Sequence, residues 1–364
     1  MLPPRNPDMA TLFDPVQAGA LALPNRIVMA ALTRARAGLR HVPNALMAEY
    51  YAQRASAALV LTEATMVDAQ ACAFVAEGGI YDDETAAGWK EVVDAVHAAG
   101  GRIAVQLWHP GRAAHSSLSG GAQPVSATDR AIRNDMIQTL DGKQPYEVPR
   151  RLERDEIPRY IALFREAAER ARAAGFDGVE VHGAHGYLID QFLRDGTNDR
   201  DDEWGGSIAH RARFLFAVFD AVAEVFGADR VGVRISPRVA YNDMIDSDPA
   251  ALVAHVAAEL DRRGAAFLDL RHQDQAAPEE RELAATARRH YRGALLLGGG
   301  FGPDSAAAAV AAGHCDAVVF GQAYVANPDL VERIRNGAGL NPVDYTTLYT
   351  PGARGYTDYP FLAG

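Results

Sequence analysis

From residue 157 onward the sequence alternates between stretches of helical period and short aliphatic runs, each run closing on a polar residue or on glycine. The short runs are mostly apolar at both parities, with single charged residues such as Glu180 and Arg234 inside them, which suits strands buried on both faces, as in a parallel sheet whose crossovers are helices. A helix over 157–174, closed by Gly175, precedes the run 178–182, and a helix around 209–226 precedes 231–236. Helices around 250–263, 279–290 and 305–312 precede the runs 267–270, 294–297 and 317–320. The same rhythm exists upstream, with strands expected at 27–32, 57–62 and 102–107 and helical periods at 46–51 and 89–99. About eight strand–helix units predict an α/β fold of the closed (β/α)8 TIM-barrel kind, typically ~250 residues before insertions. A doubly wound open sheet is the alternative topology.

One stretch departs from the rhythm. Residues 108–156 are rich in Gly, Ser, Pro and charge and carry no amphipathic helix, so an excursion after strand 3 is expected, with 113–156 forming a lid or cap. Residues 1–9 hold three prolines and no periodicity and are expected to be a loose tail, leaving 10–364 as a single domain. The formal net charge of −11, with no Lys/Arg cluster, argues against nucleic acid as a partner. Cys72 and Cys315 have neither metal-ligand spacing nor a partner framework, and the N-terminus lacks the charged and apolar regions of a secretory leader, which points to a reducing cytoplasm. No apolar run approaches the ~18 residues of a membrane span.

In a parallel barrel the chemistry sits at the carboxyl ends of the strands. Those ends here carry Thr33, Glu63, Gln106 with Trp108, His182 with His185, Arg234, the run Gly298-Gly299-Gly300, and Gly321. In V-E-V-H-G-A-H-G-Y, His182 and His185 face each other across a tight turn and Tyr187 follows with a phenol that donates while neutral. A zinc reading of the two histidines lacks a local third ligand and an H-E-x-x-H pattern, so no metal is expected. No G-x-S-x-G elbow suggests hydrolysis. The late glycines suit a phosphate, held by backbone N–H groups that no side chain screens. They lack the G-x-G-x-x-G spacing of a dinucleotide fingerprint, though a tight turn alone would also use them. Arg234 is a cation inside V-G-V-R-I-S and requires either a ligand or a carboxylate, for which Glu180 on the neighbouring strand is the candidate.

The motifs together resemble those of the old yellow enzyme family of flavin-dependent barrel oxidoreductases, in the branch of N-ethylmaleimide reductase and pentaerythritol tetranitrate reductase. They are P-N-R-I-V-M-A-A-L-T-R (24–34), T-E-A-T (62–65), Q-L-W-H-P-G-R (106–112), H-G-A-H-G-Y-L-I-D-Q-F-L (182–193), N-D-R-D-D-E-W-G-G-S (198–207), R-I-S-P (234–237), A-N-P-D-L (326–330) and G-Y-T-D-Y-P (355–360). The resemblance implies noncovalent FMN at the barrel mouth, reduced by NADPH or NADH and reoxidised by an electrophilic small-molecule alkene. It places Ala31, Thr33 and Ala64 against the flavin ring, Gln106 and Arg234 at its pyrimidine edge, and Gly299, Gly300, Gly321 and Gln322 around its phosphate. It makes His182 and His185 the pair that grips the substrate's carbonyl oxygen, Tyr187 the proton donor, and Trp108, Tyr241 and Tyr349 walls of the substrate pocket.

Three positions depart from the family pattern. Gln322 stands where the family has an arginine after the strand-8 glycine, which predicts weaker FMN retention, since charge-assisted phosphate bonds are roughly twice as strong as neutral ones. Ala31 replaces a proline, and Ala209-His210-Arg211-Ala212-Arg213 replaces E-N-R-x-R. Substrate choice is expected in 113–149, 238–248 and 271–280. The oligomeric state is not legible. Two other readings follow from the same residues: a flavin-free lyase or isomerase acting on a phosphorylated substrate, and a flavin-poor non-redox protein that kept the fold.

Overall fold

The structure is a computed structural model that describes residues 10–363; the tail expected at 1–9 lies outside the described residues. Eight parallel strands close into one barrel in sequence order: β1 (Ile27–Met29), β2 (Val60–Met66), β3 (Ile103–Trp108), β4 (Gly178–Gly183), β5 (Val231–Ile235), β6 (Phe267–Arg271), β7 (Ala294–Gly298) and β8 (Ala317–Phe320). β8 pairs with β1, Val319 lying opposite Val28, which completes the ring and rules out an open sheet. Around it run helices α1 (Ala45–Ala52), α2 (Asp83–Ala98), α3 (Ile157–Ala174), α4 (Leu188–Leu193), α5 (Arg213–Phe226), α6 (Pro249–Arg263), α7 (Pro278–His290), α8 (Pro303–Ala311), α9 (Gln322–Ala326) and α10 (Leu330–Asn336).

Side chains alternate between two cores. Ile103, Val105, Val179, Val181, Val231 and Val233 pack outward against the helices. Val28, Leu61, Ala104, Phe267, Leu296 and Val319 fill the lower barrel together with Ala18, Leu21 and Leu23. Those last three belong to a hairpin, Val16–Ala18 with Leu21–Leu23, that plugs the amino-terminal end. With the bottom filled, chemistry is confined to the carboxyl-terminal mouth.

The first two strands differ from their sequence ranges. β1 ends at Met29 because the chain then leaves the ladder, and Glu63 accepts from Arg34 N (2.9 Å) and Ala35 N (3.1 Å) to hold it across the mouth. β2 starts three residues later than the apolar run suggested and contains a register shift between Leu61 and Ala64. There Thr62 Oγ1 accepts from Gln106 N at 3.0 Å, taking a place in the ladder that a backbone carbonyl would otherwise fill. The excursion after β3 contains a hairpin, Met136–Thr139 with Gly142–Pro145, and a short parallel pair, Val125–Ser126 with Arg150–Arg151. The expected helix at 209–226 is broken at Ala212 into Ile208–Arg211 and α5.

Candidate active site

The turn from β4 into α4 carries the two histidines and the tyrosine. His182 is the last residue but one of the strand, while His185 adopts a left-handed backbone (φ 57°) that neighbours hold in place: its N–H donates to Ser236 Oγ (2.8 Å) and its carbonyl accepts from Asn242 Nδ2 (2.9 Å). Gly186 follows at φ 74°, and a Cβ there would lie 2.6 Å from Met244 Cγ, so the turn requires glycine. Gly186 N donates to Asp190 Oδ2 (2.9 Å) and its carbonyl accepts from Gln191 Nε2 (2.7 Å), which seats Tyr187 at the start of α4. The His182 ring is centred 5.5 Å from His185 and 5.4 Å from Tyr187. Burial, followed by the Arg234 charge, holds both imidazoles well below their usual range, so they are neutral at pH 7. Burial pushes the Tyr187 phenol well above its usual range, so it keeps its proton. The structure thus assembles two neutral N–H donors and one neutral acid.

Beneath them lies a buried polar floor. Gln106 Nε2 donates to Glu180 Oε1 at 2.6 Å, leaving the amide oxygen for another partner. Arg234 does not pair with Glu180 as the sequence suggested. Its Nε lies 3.2 Å from Asp269 Oδ2, because Asp269 is directly opposite it in register, whereas the residue opposite Glu180 on β5 is Gly232. Burial and the Asp269 charge push Glu180 up to about 8, so it holds its proton at neutral pH; burial raises Asp269 as well, and the Arg234 charge opposes that rise. Sequence reasoning missed Asp269, because parity along one strand does not reveal which residue of β6 stands opposite Arg234.

At the β7 and β8 ends the backbone opens. Gly299 (φ 120°) and Gly300 (φ 80°) are left-handed, and a Cβ on Gly300 or Gly302 would meet nothing within 4 Å, which leaves a cradle free of side chains. Gly321 precedes α9, and Gln322 is exposed, its Oε1 accepting from Tyr345 OH at 3.2 Å. Arg271, at the end of β6, was also missed. A Cβ on Gly299 would fall 2.5 Å from Arg271 Nη1, and that nitrogen is buried without a partner. Ala64 lies in β2 opposite Gln106, while Ala31 and Thr33 are half-buried on the segment crossing the mouth.

Tyr187 lines a cavity of about 490 Å³ together with Tyr241, Tyr349, Tyr146, Phe74 and Ile137, whereas His182 and His185 are not among its walls. Trp108 is not among its walls. It is fully buried and presents its ring to Tyr187 edge-on, with centroids 5.0 Å apart, so it backs the acid and does not touch the cavity. Buried arginines bring the walls together. Arg34 Nη2 donates to Gly355 O (2.7 Å) and Arg36 Nη2 to Thr347 O (2.7 Å), strapping the segment that carries Tyr349 over the mouth. Arg112 ties the excursion to the loop after β5 through Arg130 O and Asn242 O, both at 2.9 Å. An orphaned guanidinium nitrogen, a glycine cradle and a floor of amide and guanidinium groups fit the phosphate and pyrimidine of FMN.

Comparison with known proteins agrees with this fit. The family described as NADH:flavin oxidoreductase / NADH oxidase matches residues 11–341. The chain belongs to that family. A probable flavin mononucleotide-dependent alkene reductase of Leishmania infantum is 47% identical over 96% of this chain and 97% of its own. The 12-oxophytodienoate reductase 7 of Oryza sativa subsp. japonica is 44% identical over 97% of this chain and 95% of its own. Among solved structures, morphinone reductase in complex with tetrahydroNAD superposes with a TM-score of 0.94 at 46% identity, over 97% of this chain and 98% of that one. The chain is an FMN-dependent NAD(P)H oxidoreductase of the old yellow enzyme kind, an ene-reductase. That ends the reading as a flavin-free lyase or isomerase. No described helix is long and apolar enough to cross a membrane.

Proposed function

We propose that this ene-reductase acts on small electron-poor alkenes conjugated to a carbonyl, including cyclic enones and maleimides, and by extension on nitroalkenes and nitrate esters. The observation that carries this reading is the cluster of His182, His185 and Tyr187, all neutral, at one strand end, with Tyr187 lining an aromatic cavity of about 490 Å³. Such a cavity is within the usual range for a small-molecule site. The relatives, an alkene reductase and an oxophytodienoate reductase by name, support it.

In this reading Gln106 and Arg234 hold the pyrimidine edge of FMN, Thr33, Ala31 and Ala64 lie against its ring, and Gly299, Gly300 and Gly321 cradle its phosphate. FMN, when bound, supplies the hydride that a nicotinamide has delivered to it. The imidazoles of His182 and His185 both donate to the substrate's carbonyl oxygen, where charge accumulates as the β-carbon is reduced. Donors fixed in advance in a dry site lower such a barrier more than water would. Tyr187 delivers its proton to the α-carbon, and Trp108 keeps that phenol in place. The Tyr241 and Tyr349 rings pack the body of the substrate and exclude water. Arg271 supplies the phosphate cation that Gln322 lacks, so FMN retention rests on β6 and not on the residue after Gly321.

Replacing His182 and His185 with alanine tests the assignment in half-reactions. Flavin reduction by NADPH should stay within a few-fold, while cyclohexenone reduction falls by about 10²–10³, the cost of lost oxyanion donors. Equal loss in both half-reactions would overturn it.

A further inference from the structure

Away from the histidine turn, His41, Cys72 and Glu77 each offer one donor atom to a common point, and these atoms lie within 4.8 Å of one another. It is the one such group among the described residues. We propose that it is a divalent metal site, for zinc by its donor set, that ties together two rim segments of the substrate cavity. Imidazole nitrogen, thiolate sulfur and carboxylate oxygen are the three ligand types zinc accepts, and three protein ligands leave one coordination position for water.

Two independent features point to a ligand here. The first is an unfilled acceptor. Glu77 is fully buried, and its Oε1 accepts from Ala73 N (2.9 Å) and Phe74 N (3.1 Å), but its Oε2 has no partner. Bracing the loop uses only the first oxygen, and a buried carboxylate oxygen without a partner is costly. The second is that the three residues are positioned before any ligand arrives. His41 adopts a left-handed backbone (φ 57°) in a turn where its N–H donates to Gly38 O (3.0 Å), and its carbonyl accepts from Gly79 N (2.9 Å). Its Nδ1 is 2.8 Å from Glu77 O, the kind of second contact that orients a metal-binding imidazole. The backbone N–H of Cys72 donates to Ser119 Oγ at 3.2 Å.

Charge favours the same conclusion. A thiol and a carboxyl group buried side by side each resist ionisation. A dication bound by thiolate, carboxylate and neutral imidazole makes a site of zero net charge, which removes that conflict. The cysteines show no metal spacing in the sequence because the ligands come from two loops that only the barrel brings together. Cys72 and Glu77 bracket Ala73, Phe74, Val75 and Ala76, all of which line the substrate cavity, and Gly38 and Leu39 line it just before His41. A bound ion therefore fixes the cavity rim at both places.

The flavin-loaded protein, stripped with a chelator and dialysed against micromolar zinc chloride, should take up one zinc per chain by elemental analysis. His41→Asn keeps a residue that tolerates the left-handed backbone, and Cys72→Ser keeps the volume. Each should weaken zinc uptake by at least about tenfold, the lower end of what even outer partners of a metal contribute, while visible absorbance reports intact flavin. The proposal is overturned if the unsubstituted protein takes up no zinc, or if both variants take it up equally well.

Discussion

At the residue scale, the roles proposed for His182, His185, Tyr187 and Arg271 each predict a separate outcome. Tyr187→Phe should slow alkene reduction by about 10²–10⁴, the usual contribution of a positioned general acid, and spare flavin reduction by NADPH; stopped-flow absorbance separates the two. Because burial holds both imidazoles below their usual range and the phenol above its own, none of the three titrates near neutrality. In a Glu180→Gln variant, which removes the floor carboxyl pushed up to about 8, the alkene half-reaction should therefore be flat from about pH 7 to 9, between the ordinary values of imidazole and phenol, and a bell-shaped profile in that interval would contradict the roles. Arg271→Gln should release FMN, weakening its binding by about tenfold or more, as expected for a hydrogen bond to a charged group. Fluorescence recovery on dilution measures this directly. If Arg271→Gln retains flavin fully, the Gln322 position is compensated by some other group. The histidines and tyrosine were legible in the sequence because motif and strand end coincide there. Asp269 and Arg271 were not, since side-chain parity along one strand does not tell which residue of the next strand stands opposite.

At the element scale, α3 and β8 were legible to the residue, because a 3.6-residue period closed by Gly175 bounds the one and an apolar run closed by Gly321 bounds the other. β2 was displaced because the shift between Leu61 and Ala64 depends on a Thr62 side chain entering the ladder, which no periodicity encodes. The hairpin Met136–Thr139 with Gly142–Pro145 was missed inside the excursion because its residues are half exposed and carry little apolar signal. What holds that excursion down is Arg112. Arg112→Ala leaves the carbonyls of Arg130 and Asn242 without their donor, and should destabilise the protein by about 2–5 kcal/mol, the scale for breaking a buried network. The KM for alkene should rise more than FMN affinity falls, since the elements released are the excursion and the loop after β5. Urea melts and steady-state kinetics on the same variant check both halves.

At the scale of the whole molecule, the buried acids set how stability depends on pH. Glu180 and Glu63 are pushed up to about 8 and about 7, against 4.5 for an ordinary glutamate, so the folded state holds protons that the unfolded chain releases. Stability conferred by these groups is fully present below the unfolded pKa and is lost as pH rises through the folded one. The buried histidines act oppositely but only below about 6.5, their ordinary pKa. The melting temperature should accordingly fall between pH 6.5 and 8, and Glu180→Gln should flatten that fall. A melting temperature that rises across the interval would show that the carboxyl groups are ionised in the native state.

The strap formed by Arg34 and Arg36 has a temporal consequence. Arg34 reaches Gly355 across 321 positions of sequence, so the aromatic wall bearing Tyr349 closes only after the barrel that separates its two ends has formed. What assembles last through distant partners is commonly what opens first. Amides of 347–356 should exchange with deuterium sooner than those of β4 and β5, and the chamber would then admit and discharge its guests by the breathing of this one edge, while the staves behind it stay shut.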